Sequence, residues 1–299
     1  MFIQLFTMKA IKNILVPTDF SVTARNAFHY ARVLAEATDA QITVVHIEPY
    51  YMPVSEVPIT PLYMPNDNKL TEAMEEFIAD DSGEEDSIMV QSKVKTKILR
   101  GDPTSQLVDM SSHKDVDLIV MGTTGLQDFI SKIIGSISLE VANKARCPIL
   151  LVPRDAKWRP IETIMFATTY ESASPKLVRE ITDFTRIFKA KVDFVHVDNA
   201  PLDRDKDMDR LFDELFAEAD PDFSFEIHNI KRDNIVEGLQ KYADKNKVNL
   251  IAFVNEHRNF WQNLIHSSVT QNVAISTNKP MLVMHFDDKN PSHFDSSKQ

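Results

Sequence analysis

The sequence predicts an α/β protein: two tandem Rossmann-like domains, each an open five-stranded parallel sheet with helices on both faces. Three observations carry this. Short apolar runs alternate with amphipathic stretches of about 10–15 residues, the pattern of parallel strands joined by crossover helices. The chain also repeats itself. IKNILVPTDFS (11–21) reads like IETIMFATTYE (161–171), and ITVVHIE (42–48) like VDFVHVD (192–198), both 150 residues apart. DLIVMG (117–122) reads like NLIAFV (249–254), and CPILLVP (147–153) like KPMLVMH (279–285), both 132 residues apart. Finally, 299 residues is the length of two domains of about 150 each. The change of offset makes the second copy 18 residues shorter, between its second and third strands. PRDAKWRP (153–160), with a proline at each end, joins the copies and sets the domains at 1–153 and 154–299.

In the first copy, ILV (14–16) is a short strand ending at Pro17. Ser21 can cap a helix whose apolar positions Ala24, Ala27, Phe28, Ala31, Leu34 and Ala35 share one face. ITVVHI (42–47) is the next strand, and PYYMPVSEVPITPLYMPNDN (49–68) is a loop excursion with no counterpart in the second copy. NKLTEAMEEFIADD (68–81) has helical periodicity and VKTKIL (94–99) reads as a strand. Asp102-Pro103 opens a helix over 102–114, with proline in its first turn. DLIVMG is a buried strand, and PILLV (148–152) closes the domain. The last strands, PILLVP and PMLVMH, are candidates to pair within one chain as a pseudo-dimer, which would cover two sheet edges; association of two chains as a homodimer stays open.

Composition narrows the function. A net charge of −11 and a pI near 5.3 argue against a nucleic-acid binder, which needs a basic surface. No apolar run reaches the ~18–20 residues that cross a bilayer, so no membrane role is expected. MFIQLFT lacks the basic leader and cleavage site of a signal peptide. The single cysteine, Cys147, rules out an internal disulfide and reads as a buried thiol, which suggests the cytoplasm.

Glycine is scarce, six in 299 against a usual ~7%, yet Gly122, Gly125 and Gly135 all fall within MGTTGLQDFISKIIGS (121–136). Gly122 ends an apolar strand, where a missing Cβ lets the backbone approach a ligand. Gly125 can take positive φ and turn the loop. Gly135-Ser136 opens the helix SISLEVANKA, whose free N–H groups suit a phosphate. Between them, LQDFISKII has the spacing of a packed helical turn. In open α/β sheets ligands sit at the carboxyl ends of the strands, where strand order reverses.

The run glycine, two residues, glycine, nine residues, glycine, serine at 122–136 resembles the ATP-binding motif of the universal stress protein family in full. VPTDFS (16–21), VVHI (44–47) and CPILLVP (147–153) add to the likeness, which spans nearly the whole chain and indicates a tandem member. The resemblance implies an ATP site, or one for ADP or AMP, with or without Mg. By position, Pro17 and Asp19 would flank the adenosine and Ile47 would touch the adenine. Met121 and Gly122 would line the nucleotide, while Gly125, Gly135, Ser136 and Ile137 would hold the phosphates. Thr123-Thr124 stands where many members have serine and histidine. In the second copy Gly122, Gly125 and Gly135 become Val254, His257 and Ser267; Ser136 is kept as Ser268, while Pro17 becomes Ala167 and Asp19 becomes Thr169. The second domain is therefore expected not to bind ATP in the family's manner.

Other signals are weaker. His46 and His196 occupy equivalent strand positions and read as histidines bonded to a loop. His228, His257 and His266 match no compact zinc spacing. DRDKDMDRLFDE (203–214) mimics a calcium loop, but Met208 stands where glycine is needed, so it reads as a helix. The acidic run DDSGEED (80–86) reads as a solvated turn and the 287–299 tail as loose. Neither a nucleophile elbow nor a Walker-A lysine is present, so no catalytic or metal-ligating residue is assigned. The expectation is a stress-response regulatory protein whose first domain alone holds nucleotide and which acts on a protein partner. The alternatives are a slow ATPase or phosphotransferase, and a nucleotide-independent interaction module.

Overall fold

The computed structural model describes residues 11–49, 67–79, 93–113, 115–123, 136–167, 181, 184–198, 213, 223–232, 235–255 and 278–285. In chain order the elements are β1 (Asn13–Pro17), α1 (Val22–Thr38), β2 (Gln41–Glu48), α2 (Asp67–Ala79), β3 (Val94–Arg100), α3 (Pro103–Ser111), β4 (Leu118–Thr123), α4 (Ser136–Lys144) and β5 (Ile149–Pro153). The second half contributes β6 (Thr163–Ala167), β7 (Lys191–Asp198), β8 (Phe225–Lys231), α5 (Ile235–Lys245), β9 (Leu250–Asn255) and β10 (Met281–His285). The excursion at 50–66, the acidic run at 80–86, the 124–135 segment, His257, His266, the 287–299 tail and all but one residue of the mock calcium loop lie outside the described residues.

The strands form one sheet in the order β3-β2-β1-β4-β5-β10-β9-β6-β7-β8. Within each half every pairing is parallel, and β5 meets β10 antiparallel through Leu151–Met281, Leu150–Leu282 and Ile149–Val283. Each half is thus a five-stranded open sheet, and the two share one continuous surface.

Strand alternation sends side chains to two cores. Ile14, Val16, Val44, Val120 and Val152 face α1 and α2, where Phe28, Leu34, Met74 and Phe77 are buried. Leu15, Val45, Ile119, Met121 and Leu151 face the other way, onto Leu107 of α3 and Val141 of α4. In the second half Phe166 and Phe194 continue the first core, and Met165, Val195 and Leu239 of α5 the second. Buried on both faces, these strands read as unbroken apolar runs.

The helix ends follow their sequence signals. Ser21 Oγ accepts from the Ala24 N–H at 3.1 Å. Asp102 accepts from the Ser105 N–H at 2.7 Å, with Pro103 at the first helical position. α3 stops at Ser111, three residues before the expected end, because Ser112 and His113 turn back onto the Asp109 and Met110 carbonyls. Each copy fastens its first strand to its fourth with the same device. Asp117 Oδ2 accepts from the Lys12 and Asn13 N–H groups at 2.9 and 3.0 Å; Asn249 Oδ1 accepts from Glu162 and Thr163 at 3.0 and 2.9 Å. No described helix is long and apolar enough to cross a membrane.

Candidate functional site

Strand order reverses between β1 and β4, since β2 follows β1 on one side and β4 lies on the other. The two strands part early. They pair at Ile14–Leu118 and Leu15–Ile119 and no further, whereas β1 stays on β2 to Pro17–Val45 and β4 stays on β5 to Thr123–Pro153. A crevice therefore opens between the carboxyl ends of β1 and β4, where open α/β sheets receive ligands.

Pro17 explains the parting. Thr18 donates its N–H to Val45 of β2, and Asn13 offers its carbonyl to Asp117 on the β4 side. Alternation then turns the backbone of Leu15 and Pro17 toward β4. Proline has no N–H to give there. In the second half Ala167 restores that N–H, and the equivalent ladder runs two pairs further, through Phe166–Ala252 and Ala167–Phe253. The β1–β4 ladder is thus two pairs shorter than its counterpart in the second half.

The turn after β1 is tightly held. Phe20 sits in the left-handed region at φ 64°, a conformation costing a side-chain-bearing residue about 1–2 kcal/mol. It is fixed by its N–H donating to Thr18 Oγ1 at 2.9 Å and by its ring lying 4.6 Å from the His46 ring. His46 Nδ1 lies 2.9 Å from the Thr18 carbonyl, and a carbonyl can only accept, so Nδ1 carries the proton. His46 is thus the loop-bonded histidine the sequence suggested.

Of the nine predicted residues, Pro17 and Gly122 are half-buried at the strand ends and line the crevice mouth. Asp19 is exposed, with Oδ1 accepting from the Ser21 N–H at 3.0 Å. Ile47 and Met121 are buried in the core facing α3 and α4. Ser136 and Ile137 are exposed in the first turn of α4. Gly125 and Gly135 lie outside the described residues.

Gly122 needs its bare Cα for a reason other than ligand approach. A Cβ there would lie 2.6 Å from the carbonyl oxygen of Thr23, so α1 occupies that space. The carbonyl of Gly122 accepts from Ser138 Oγ at 2.9 Å, which fixes the start of α4 against the end of β4. Thr18, Phe20, His46 and Ser138 thus shape the site without standing out in the motif. The TDFS turn signalled the first two, but nothing in the sequence joins Ser138 to Gly122.

The switch point is flanked by the rigid Thr18–Phe20 turn and by the N-terminus of α4, which Ser138 ties to Gly122. Unpartnered N–H groups at such a terminus carry partial positive charge and favour anions.

Comparison with known proteins agrees with this architecture. Residues 10–153 match the model of the universal stress protein family. A universal stress protein of Thermus aquaticus is 32% identical over 141 residues, covering 47% of this chain and 98% of that protein. One from Methanocaldococcus jannaschii is 28% identical over 153 residues, covering 49% of this chain and 84% of that protein. The crystal structure of a universal stress protein from Archaeoglobus fulgidus superposes with a TM-score of 0.68 at 16% identity, over 91% of this chain and 98% of that one, so the likeness in fold spans both halves. By fold, family model and relatives together, the chain belongs to the universal stress protein family.

Proposed function

We propose that this is a tandem universal stress protein whose first domain, residues 1–153, binds ATP or a related adenine nucleotide as a regulatory ligand, and whose second domain, 154–299, does not. The observation that carries the reading is the contrast between the two switch points. β1 and β4 part after Leu15–Ile119, while β6 and β9 stay paired through Ala167–Phe253. The G-x2-G-x9-G-S pattern at 122–136 belongs to the half with the shorter ladder, and the half with the longer ladder lacks these glycines.

The residues at the opening suit such a ligand. Pro17 and the Thr18–Phe20 turn stand where the nucleoside would enter, with Asp19 exposed beside them. Ser136 and the first amides of α4 supply an anion-binding end for the phosphates. A bound nucleotide would stabilise the fold by mass action and link the first domain's occupancy to the shared sheet. Mg, where it accompanies the nucleotide, would be held chiefly by the phosphates.

Calorimetric titration of nucleotide-free protein with ATP, ADP and AMP tests this, with Ser136→Asp as the control. Aspartate suits a helix N-terminus, so the fold is kept, but its charge repels a phosphate. Saturable binding by the wild type, weakened at least about tenfold (~1.4 kcal/mol) in Ser136→Asp, is expected. Absence of binding, or equal binding by both proteins, contradicts the proposal. Phosphate release above that of Ser136→Asp would add turnover to it.

A further inference from the structure

The second half carries a cluster of metal-ligating side chains far from the crevice. Near the start of β7 and in the first half of β8, Asp193, Glu226 and His228 bring one ligand atom each within 4.8 Å of one another. Lys191 Nζ stands 3.0 Å from Asp193 Oδ1 and 2.7 Å from Glu226 Oε1. Tyr242 of α5 donates to Asp193 Oδ2 at 3.0 Å, and its ring lies 5.0 Å from that of His228. The equivalent positions in the first half hold Gln41, Thr43, Lys95, Lys97 and Met110. The cluster therefore has no counterpart in the first half.

Two features point to a ligand. Asp193 is 2% exposed, and its Oδ1 receives no directed hydrogen bond although Lys191 pairs with it by charge. His228 Nε2 is likewise shut off from solvent and receives no directed hydrogen bond, although Glu226 Oε2 is 3.1 Å away. That separation is close to the edge of a coordination tetrahedron, about 3.3 Å for ligands ~2.0 Å from a zinc ion. Charge leads the same way. The carboxylates of Asp193 and Glu226 carry two negative charges against the one ammonium of Lys191, whereas a divalent ion in its place would balance them. The Tyr242 hydroxyl donates to Asp193 Oδ2 and so fixes the carboxylate.

We propose that Asp193, Glu226 and His228 form a site for a divalent transition ion of zinc type, with Lys191 as the resident cation the ion displaces. The ion takes Asp193 Oδ1, Glu226 Oε2 and His228 Nε2, with water as the fourth ligand. Lys191 begins β7 and its side chain is one-third exposed, so its ammonium can swing into solvent.

Chelator-stripped full-length protein titrated with Zn²⁺ by calorimetry tests the site, with Co²⁺ absorption spectra reporting the coordination. One equivalent of Zn²⁺ is expected, bound at least about tenfold more weakly by His228→Ala and by Asp193→Asn, and more tightly by Lys191→Met. Co²⁺ should give the visible bands of a tetrahedral nitrogen–oxygen site in the wild type and lose them in His228→Ala. Should Asp193→Asn fail to fold, His228→Ala still decides, because it changes a partly exposed residue on an edge strand. Equal Zn²⁺ binding by the wild type and His228→Ala, or no gain in Lys191→Met, overturns the proposal.

Discussion

Gly122 on β4 faces the main chain of Thr23 so closely that a Cβ would stand 2.6 Å from its carbonyl oxygen and 2.7 Å from its carbonyl carbon. Backbone atoms in a packed helix cannot step aside as a side-chain tip can. Gly122→Ala should therefore destabilise the ligand-free protein by ~1–3 kcal/mol, the usual cost of overpacking. Urea denaturation without nucleotide measures it. An unchanged midpoint would show that α1 is not fixed against β4 as described.

The strand-fastening device differs between the halves by one atom type, Asp117 in one and Asn249 in the other. Both present an oxygen to two backbone N–H groups. Asp117→Asn should hence be tolerated within ~1 kcal/mol, while Asp117→Ala leaves two partly buried donors without their acceptor and should cost ~1–3 kcal/mol. Comparing the two unfolding midpoints checks this; similar losses for both would deny that the acceptor oxygen is what matters.

Asn26 of α1 clamps the linker between the halves. Its Nδ2 donates to the carbonyls of Pro153 at 2.9 Å, Arg154 at 3.2 Å and Ala156 at 2.9 Å. Tyr30, one turn on, packs edge-on against Trp158 at 5.1 Å. Asn26→Ala should cost ~1–3 kcal/mol, and Asn26→Asp more, since a carboxylate would face carbonyl oxygens. Thermal melts of the two variants check the order; Asp milder than Ala would contradict it.

Asp102 caps α3, and the backbone hydrogen bond from Ser105, followed by the Ser105 side chain, holds its carboxyl below the ordinary range. A lowered folded pKa means the stabilisation is present above the unfolded value and is lost as pH falls through the folded one. Asp102→Asn keeps an acceptor at the cap but removes the titration. Its melting temperature should fall less steeply than that of the wild type between about pH 4 and pH 2. Parallel acid limbs would sink this assignment.

Much of the fold was legible because it is written in periods. The 150- and 132-residue offsets located the first, second, fourth and fifth strands of each copy, and the alternation within each run matches the two cores. Ser21 and Asp102 showed their caps through residue type alone. The site was legible as a place, since a strand-end glycine and a helix-opening serine bracket the switch point, but not as a set of causes. A strand-end glycine reads as room for a ligand, and at Gly122 the space a Cβ would need is also taken by Thr23 of α1. That contact, like Ser138 to Gly122 and Asn26 to the linker, joins residues far apart in sequence and leaves no periodic trace. The exchange of Pro17 for Ala167 is visible in the sequence, but which neighbouring strand loses a donor depends on strand order. The Lys191–Asp193–Glu226–His228–Tyr242 cluster was missed because its members come from three separate elements and share no compact spacing.

The proposed nucleotide site lies in the first half. Photolabelling the full chain with an azido-adenosine triphosphate, followed by peptide mapping, tests it most directly. Label confined to peptides within 10–153 and removed by excess ATP is the predicted result. Labelling that ATP does not compete away, or competed label within 161–285, would contradict it.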